Sequence, residues 1–100
     1  MEVLTISGVL LTDCKKKEDA RKVPFLTFTV GTEESDMSGK KYRNAYRCFC
    51  YNTSNPDVLK MKKDDMVLLS GTFRIVKFNG TINYDIYVKQ ITPIIQRQQL

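Results

Sequence analysis

The chain reads as all-β: a small closed barrel of five strands, with one short helix between the third and the fourth. Three observations predict it. Apolar and polar residues alternate over five separate stretches, the two-residue period of half-buried strands. One capped segment, Asn55-Pro56-Asp57, interrupts that period with a helix start. Asn79-Gly80 sits between the last two stretches, where a tight hairpin needs residues that accept positive φ. One hundred residues, 42% of them hydrophobic, close one core, so residues 1–91 are expected as one domain and 92–100 as a short C-terminal tail.

Residues 3–11 open the barrel, with Leu4, Ile6, Gly8 and Leu10 on one face and Val3, Thr5, Ser7 and Val9 on the other. Gly8 marks a bend. Residues 12–22 are expected as a polar loop whose lysines, Lys15, Lys16 and Lys17, form a solvated cluster, with nonspecific phosphate attraction as the alternative. In the second strand, residues 25–30, Leu26, Phe28 and Val30 point inward. Residues 31–41 have almost no apolar content and are expected as a flexible loop. The third strand, residues 42–51, places Tyr46, Cys48 and Cys50 on one side and Arg43, Ala45, Arg47, Phe49 and Tyr51 on the other.

Asn55 then supplies an N-cap, Pro56 the first helical position and Asp57 a first-turn acid. The helix should reach the neighbourhood of Lys62, with Lys60, Lys62 and Lys63 suiting its C-terminal end. The fourth strand, residues 66–77, turns Val67, Leu69, Gly71 and Phe73 inward, and in the fifth, residues 81–91, Ile82, Tyr84, Ile86 and Val88 keep the alternation. Five strands with a helix between the third and fourth is the order of the Greek-key OB-fold, whose sheet face and loops hold oligonucleotides. An SH3-like barrel has no helix there.

Composition narrows the function. Sixteen Lys and Arg against eleven Asp and Glu leave a net charge of +5, which favours polyanionic partners. The chain has no His, which removes the commonest general base and most zinc sites. Cys14, Cys48 and Cys50 are too few for a four-cysteine site, and an odd number makes no paired framework. They read as reduced core residues of a cytoplasmic protein. No catalytic residue, metal site or cofactor is expected. The first eleven residues carry no signal-peptide pattern, and no apolar run approaches a membrane span.

Residues 40–51 contain four basic side chains, four aromatics and no acid. Alternation puts Arg43, Arg47, Phe49 and Tyr51 on the face opposite the core cysteines, and the fourth strand adds Arg74 and Phe78 at matching parity with Lys77 close by. Cations that track phosphates beside rings that stack on bases are what a single strand of nucleic acid needs. The candidate nucleic-acid site is therefore Arg43, Arg47, Arg74 and Lys77 for phosphates, with Phe49, Tyr51 and Phe78 for bases.

These residues resemble the bacterial single-stranded DNA-binding protein family over residues 3–91. The resemblance is carried by Ile6-Ser7-Gly8-Val9-Leu10, by Phe28-Thr29-Val30-Gly31-Thr32-Glu33-Glu34-Ser35, by Tyr46-Arg47-Cys48-Phe49-Cys50-Tyr51, and by residues 59–71 continuing to Arg74 and Phe78. It implies an OB-fold, a dimer or tetramer, and sequence-tolerant binding of single-stranded DNA in replication, recombination or DNA transfer, with replication or recombination proteins as further partners and no membrane. The family usually carries Trp where Ala45 stands, near Asp36 and where Phe78 lies, so Phe49 and Tyr87 are the rings available in compensation. Asp64 stands where the family has Gly, and Asp tolerates left-handed backbone better than most residues. Residues 94–100 do not read as the family's acidic tail, and the chain looks more like the short primosomal replication-restart proteins of the same fold, or a plasmid- or phage-borne relative. The alternative from a different class is an OB-fold adaptor that buries the aromatic face in a protein partner and binds nucleic acid only by weak electrostatics.

Overall fold

A computed structural model describes residues 2–94. The strands are β1 (Glu2–Leu10), β2 (Lys15–Glu18), β3 (Pro24–Ser35), β4 (Lys41–Cys50), β5 (Met66–Phe78) and β6 (Thr81–Ile94), and the helix α1 (Pro56–Leu59) lies between β4 and β5. They form one sheet in the order β1-β5-β6-β4-β3-β2, and pairing of Val9 and Leu10 with Gly31 and Val30 joins β1 to β3 and closes five of the strands into a barrel. Closure requires the two backbones to come very close. A Cβ on Gly8 would collide with the carbonyl oxygen of Gly31, so only glycine lets β1 cross β3 there.

The inward faces are those the alternation predicts. Leu10, Leu26, Phe28, Val30, Cys48, Cys50, Val67, Leu69 and Ile86 are buried together, with Leu4, Ile6, Tyr46, Phe73 and Val88 packed around them. Val58 from α1 and Met61 just after it complete this core. Burial pushes the Cys48 thiol up to about 12, and all three cysteines are free.

Four expectations are corrected. The lysine segment is not a loop: Lys15–Glu18 forms β2 by pairing with Pro24–Thr27. Nor is the polar stretch after Gly31, because β3 and β4 pair as far as Ser35 and Lys41. Both segments are polar on both faces, which hides a strand from a hydrophobicity reading. Asp36 makes the β3–β4 hairpin possible by accepting from Ser38 N, Ser38 Oγ and Lys40 N at 2.6–3.0 Å, while Gly39 takes a φ of 86°.

The helix is only four residues long and ends before any of its expected C-terminal lysines. Asn55 does cap it, accepting from Asp57 N at 3.0 Å. Asp64, at φ 80°, then turns the chain into β5. The last strand continues three residues past its expected end at Ile91, to Ile94, which pairs with Met66. The remainder of the expected tail, residues 95–100, lies outside the described residues.

The pairing of β5 with β6 steps from Ser70–Gln90 to Gly71–Val88, leaving Lys89 as the extra residue of a bulge. That shift lets Val88 and Ile91 both pack against the core although their sequence parity differs. Asn79 and Gly80 have φ of 50° and 78°, the paired positive values of a tight hairpin. The hairpin runs past the core, so Ile82 is exposed along with Ile75 and Phe78.

Candidate nucleic-acid interface

The outward face of β4 meets its neighbours in register. Phe49 lies opposite Tyr87 of β6 and Thr27 of β3, and Arg47 opposite Asp85 and Thr29. Four rings consequently run side by side across the sheet. Tyr51 and Phe25 have centroids 5.4 Å apart, Phe25 and Phe49 6.0 Å, and Phe49 and Tyr87 5.4 Å with planes at 26°. Phe25, Phe49 and Tyr87 are half-buried, supported from below yet open above, and Tyr51 is exposed. The Tyr51 hydroxyl donates to Asp19 at 3.1 Å, tethering the end of the row to the β2–β3 turn.

Cations border the rings on both sides. The Arg47 guanidinium lies 5.8 Å from the Phe49 centroid, and that of Arg74 lies 5.8 Å from the Tyr87 centroid. At the other end, Lys17 pairs with Phe25 and Lys15 with Thr27, so both lysines project on the ring face from the edge strand β2. Lys16, of opposite parity, does not.

The arginines differ in how their charge is used. Arg47 donates from Nε and Nη2 to the two carboxylate oxygens of Asp85 at 2.7 and 2.8 Å. The Asp85 side chain is only 5% exposed while that of Arg47 is 45% exposed, so a buried acid grips an open guanidinium. This bidentate pairing raises the Arg47 pKa further above its ordinary value. Asp85 also lies opposite Arg74 in the β5–β6 register, but no ion pair joins those two.

Of the seven residues expected from the sequence, the structure brings Arg47, Phe49, Tyr51 and Arg74 together. Arg43 lies four residues along β4 from Arg47, roughly 13 Å at strand spacing, and pairs with Glu33 at 3.7 Å. Phe78 and Lys77 stand at the tip of the β5–β6 hairpin, four and three residues beyond Arg74. These three border the row without joining it.

Neither alternation nor the resemblance singles out Phe25 or Asp85 for the site; Lys15 and Lys17 enter only as a solvated cluster with nonspecific phosphate attraction as the alternative, and Tyr87 only as the resemblance's compensating ring. Phe25 and Tyr87 carry a usable signal, since each has outward parity in a strand whose inward residues are plain. Asp85 is the one acid in residues 81–94. Its role depends on β4 and β6 being parallel neighbours, which no local pattern reveals.

No protein-family model matches the sequence, and no curated protein matches it. Solved structures do match. Plasmodium falciparum SSB, from its complex with ssDNA, superposes with a TM-score of 0.74 at 15% identity, covering 95% of this chain and 96% of that one. The small single-stranded DNA-binding protein from Streptomyces coelicolor superposes with a TM-score of 0.74 at 13% identity, covering 97% of this chain and 96% of that one. Over nearly its whole length, the chain has the barrel fold of these single-stranded DNA-binding proteins.

Proposed function

We propose that the protein binds single-stranded DNA without catalysing a reaction, and that the row Tyr51, Phe25, Phe49 and Tyr87 is where bases stack. The observation that carries this is the four-ring row bordered by Arg47 and Arg74 at one end and by Lys15 and Lys17 at the other. Ring stacking tolerates any base and contributes ~1–3 kcal/mol each, while cations hold the backbone on either side. Arg43, Lys77 and Phe78, on the β3–β4 and β5–β6 hairpins, border the row, with Arg43 paired to Glu33. The fold shared with two single-stranded DNA-binding proteins supports the same reading. The barrel is then a Greek-key OB-fold serving replication, recombination or DNA transfer in the cytoplasm.

A labelled oligo-dT titration at two salt concentrations, repeated with oligo-rU, tests the function and its DNA preference. Binding that weakens with salt and falls on Phe49→Ala supports it; absence of binding at low salt overturns it.

A second reading is favoured by one observation, an exposed apolar row across the outer sheet. Val9 pairs with Met66 and Met66 with Ile94, with Leu68 one row away, and all four are exposed. That row suits a protein contact with a second copy in a dimer or tetramer, whereas an adaptor would bury the aromatic face in its partner. Light scattering distinguishes the copies, and indifference of DNA binding to ring removal would favour the adaptor.

A further inference from the structure

Resting on the single-strand reading above, we propose that Arg47 reads a base edge, and that it favours cytosine or guanine at the nucleotide stacked on Phe49. The geometry starts from the carboxylate behind it. Asp85 takes Nε–H and one Nη2–H, two of the five donors of the guanidinium. Among the described residues, none accepts from the other three. Two of those three, one on each terminal nitrogen, lie parallel across the open end of the fork.

Three features direct that end to a base rather than a phosphate. Its charge is already balanced by a carboxylate in bidentate contact, which weakens attraction for a second anion but not for a neutral acceptor pair. Its plane is fixed by two hydrogen bonds, so the fork is presented with little loss of freedom. It also lies over the Phe49 ring, 5.8 Å from the centroid, within reach of a base that stacks on the rest of that ring. Arg74, on the other side of Asp85, has no such anchor and remains the phosphate contact.

Two parallel donors match two adjacent acceptors. Guanine offers O6 and N7, and unpaired cytosine offers O2 and N3. Adenine places an amino donor beside N7, and thymine places N3–H beside each carbonyl, so neither accepts the whole fork.

The test compares dC and dT oligomers of equal length by fluorescence anisotropy near pH 8, where cytosine N3 is unprotonated; both are pyrimidines, so stacking is matched. The wild-type protein should bind oligo-dC at least about fivefold tighter, the lower end of what a bidentate base contact discriminates. Arg47→Lys should lose more affinity for dC than for dT, bringing the ratio near one, because an ammonium cannot present the fork. Asp85→Asn should narrow the ratio by loosening the anchor. A wild-type preference for dC smaller than about fivefold, or a ratio unchanged in Arg47→Lys, overturns the inference while leaving single-strand binding in place. Binding of neither oligomer overturns both.

Discussion

Gly71 of β5 lies directly against the carbonyl group of Tyr87 on β6, so closely that a Cβ at position 71 would overlap that oxygen. The contact sits under the end of the ring row, beside the bulge at Lys89, and it couples the packing of the barrel to the placement of a stacking residue. Gly71→Ala must push β6 outward. It should cost about 1–3 kcal/mol in urea unfolding, as overpacking does, and also weaken single-strand binding. Gly80→Ala, with open space around a φ of 78°, should cost about 1–2 kcal/mol through backbone strain alone and leave the row intact.

Ring removal separates the row from its surroundings. Phe49→Ala takes away the ring that touches both Phe25 and Tyr87 and should lower affinity by about 1–3 kcal/mol. Phe78→Ala, at a hairpin tip where the ring is 68% exposed, should cost less in affinity and almost nothing in stability. Oligo-dT titration beside urea unfolding of each variant checks both halves.

The Arg47–Asp85 pair predicts an asymmetry in stability. Arg47→Ala leaves a buried carboxylate without its counter-charge and should cost about 3 kcal/mol. Asp85→Ala releases an arginine that is already half in water and should cost about 1 kcal/mol. Urea unfolding at neutral pH compares them; the reverse order would show that the acid is not held by this contact.

Salt dependence tests which cations meet phosphates. With Arg43 tied to Glu33 and Arg47 to Asp85, Arg74, Lys15 and Lys17 are left at the row. At about −0.7 per phosphate on a single strand, three contacts give a slope of about −2 in log K against log salt, shallower than the −3 of four contacts. Lys15→Gln with Lys17→Gln should flatten that slope to about −0.7, whereas Arg43→Gln should change it little. Titrations across a salt series read it directly.

Acid should loosen the two turns capped by aspartates. Hydrogen bonds from the backbone of Val23 and Arg21 and from the Tyr51 hydroxyl hold the Asp19 carboxyl below its ordinary range, and bonds from Ser38, Lys40 and Gly39 do the same for Asp36. A folded pKa below the unfolded one means that the stabilisation is complete above the ordinary carboxylate value and is lost as pH falls through the lower, folded value. Thermal unfolding between pH 7 and pH 3 should show this loss below about pH 4. Asp19→Asn and Asp36→Asn should each remove part of it.

Much of this molecule is local, and that part was legible. Tyr46, Cys48 and Cys50 face inward, and Arg47, Phe49 and Tyr51 outward, because side chains alternate along a strand whatever its neighbours. The Asn79-Gly80 turn and the Asn55 cap are likewise properties of two or three residues. Polar strands were not legible. Lys15–Glu18 buries nothing, and what makes it a strand is backbone pairing with β3.

Strand faces, the barrel class and the gathering of rings and cations on one side of β4 follow from the order of residues alone. Which residues share the interface depends on how distant strands come together. Parallel pairing of β4 with β6 sets Phe49 against Tyr87 and Arg47 against Asp85 across nearly forty positions of chain. Arg43, farther along β4, and Phe78, at the tip of the β5–β6 hairpin, stay apart from the row although their parity is correct. The physical reason is that parity fixes a side chain's face, whereas register between distant strands fixes its neighbours, and recognition of a nucleic acid depends on neighbours.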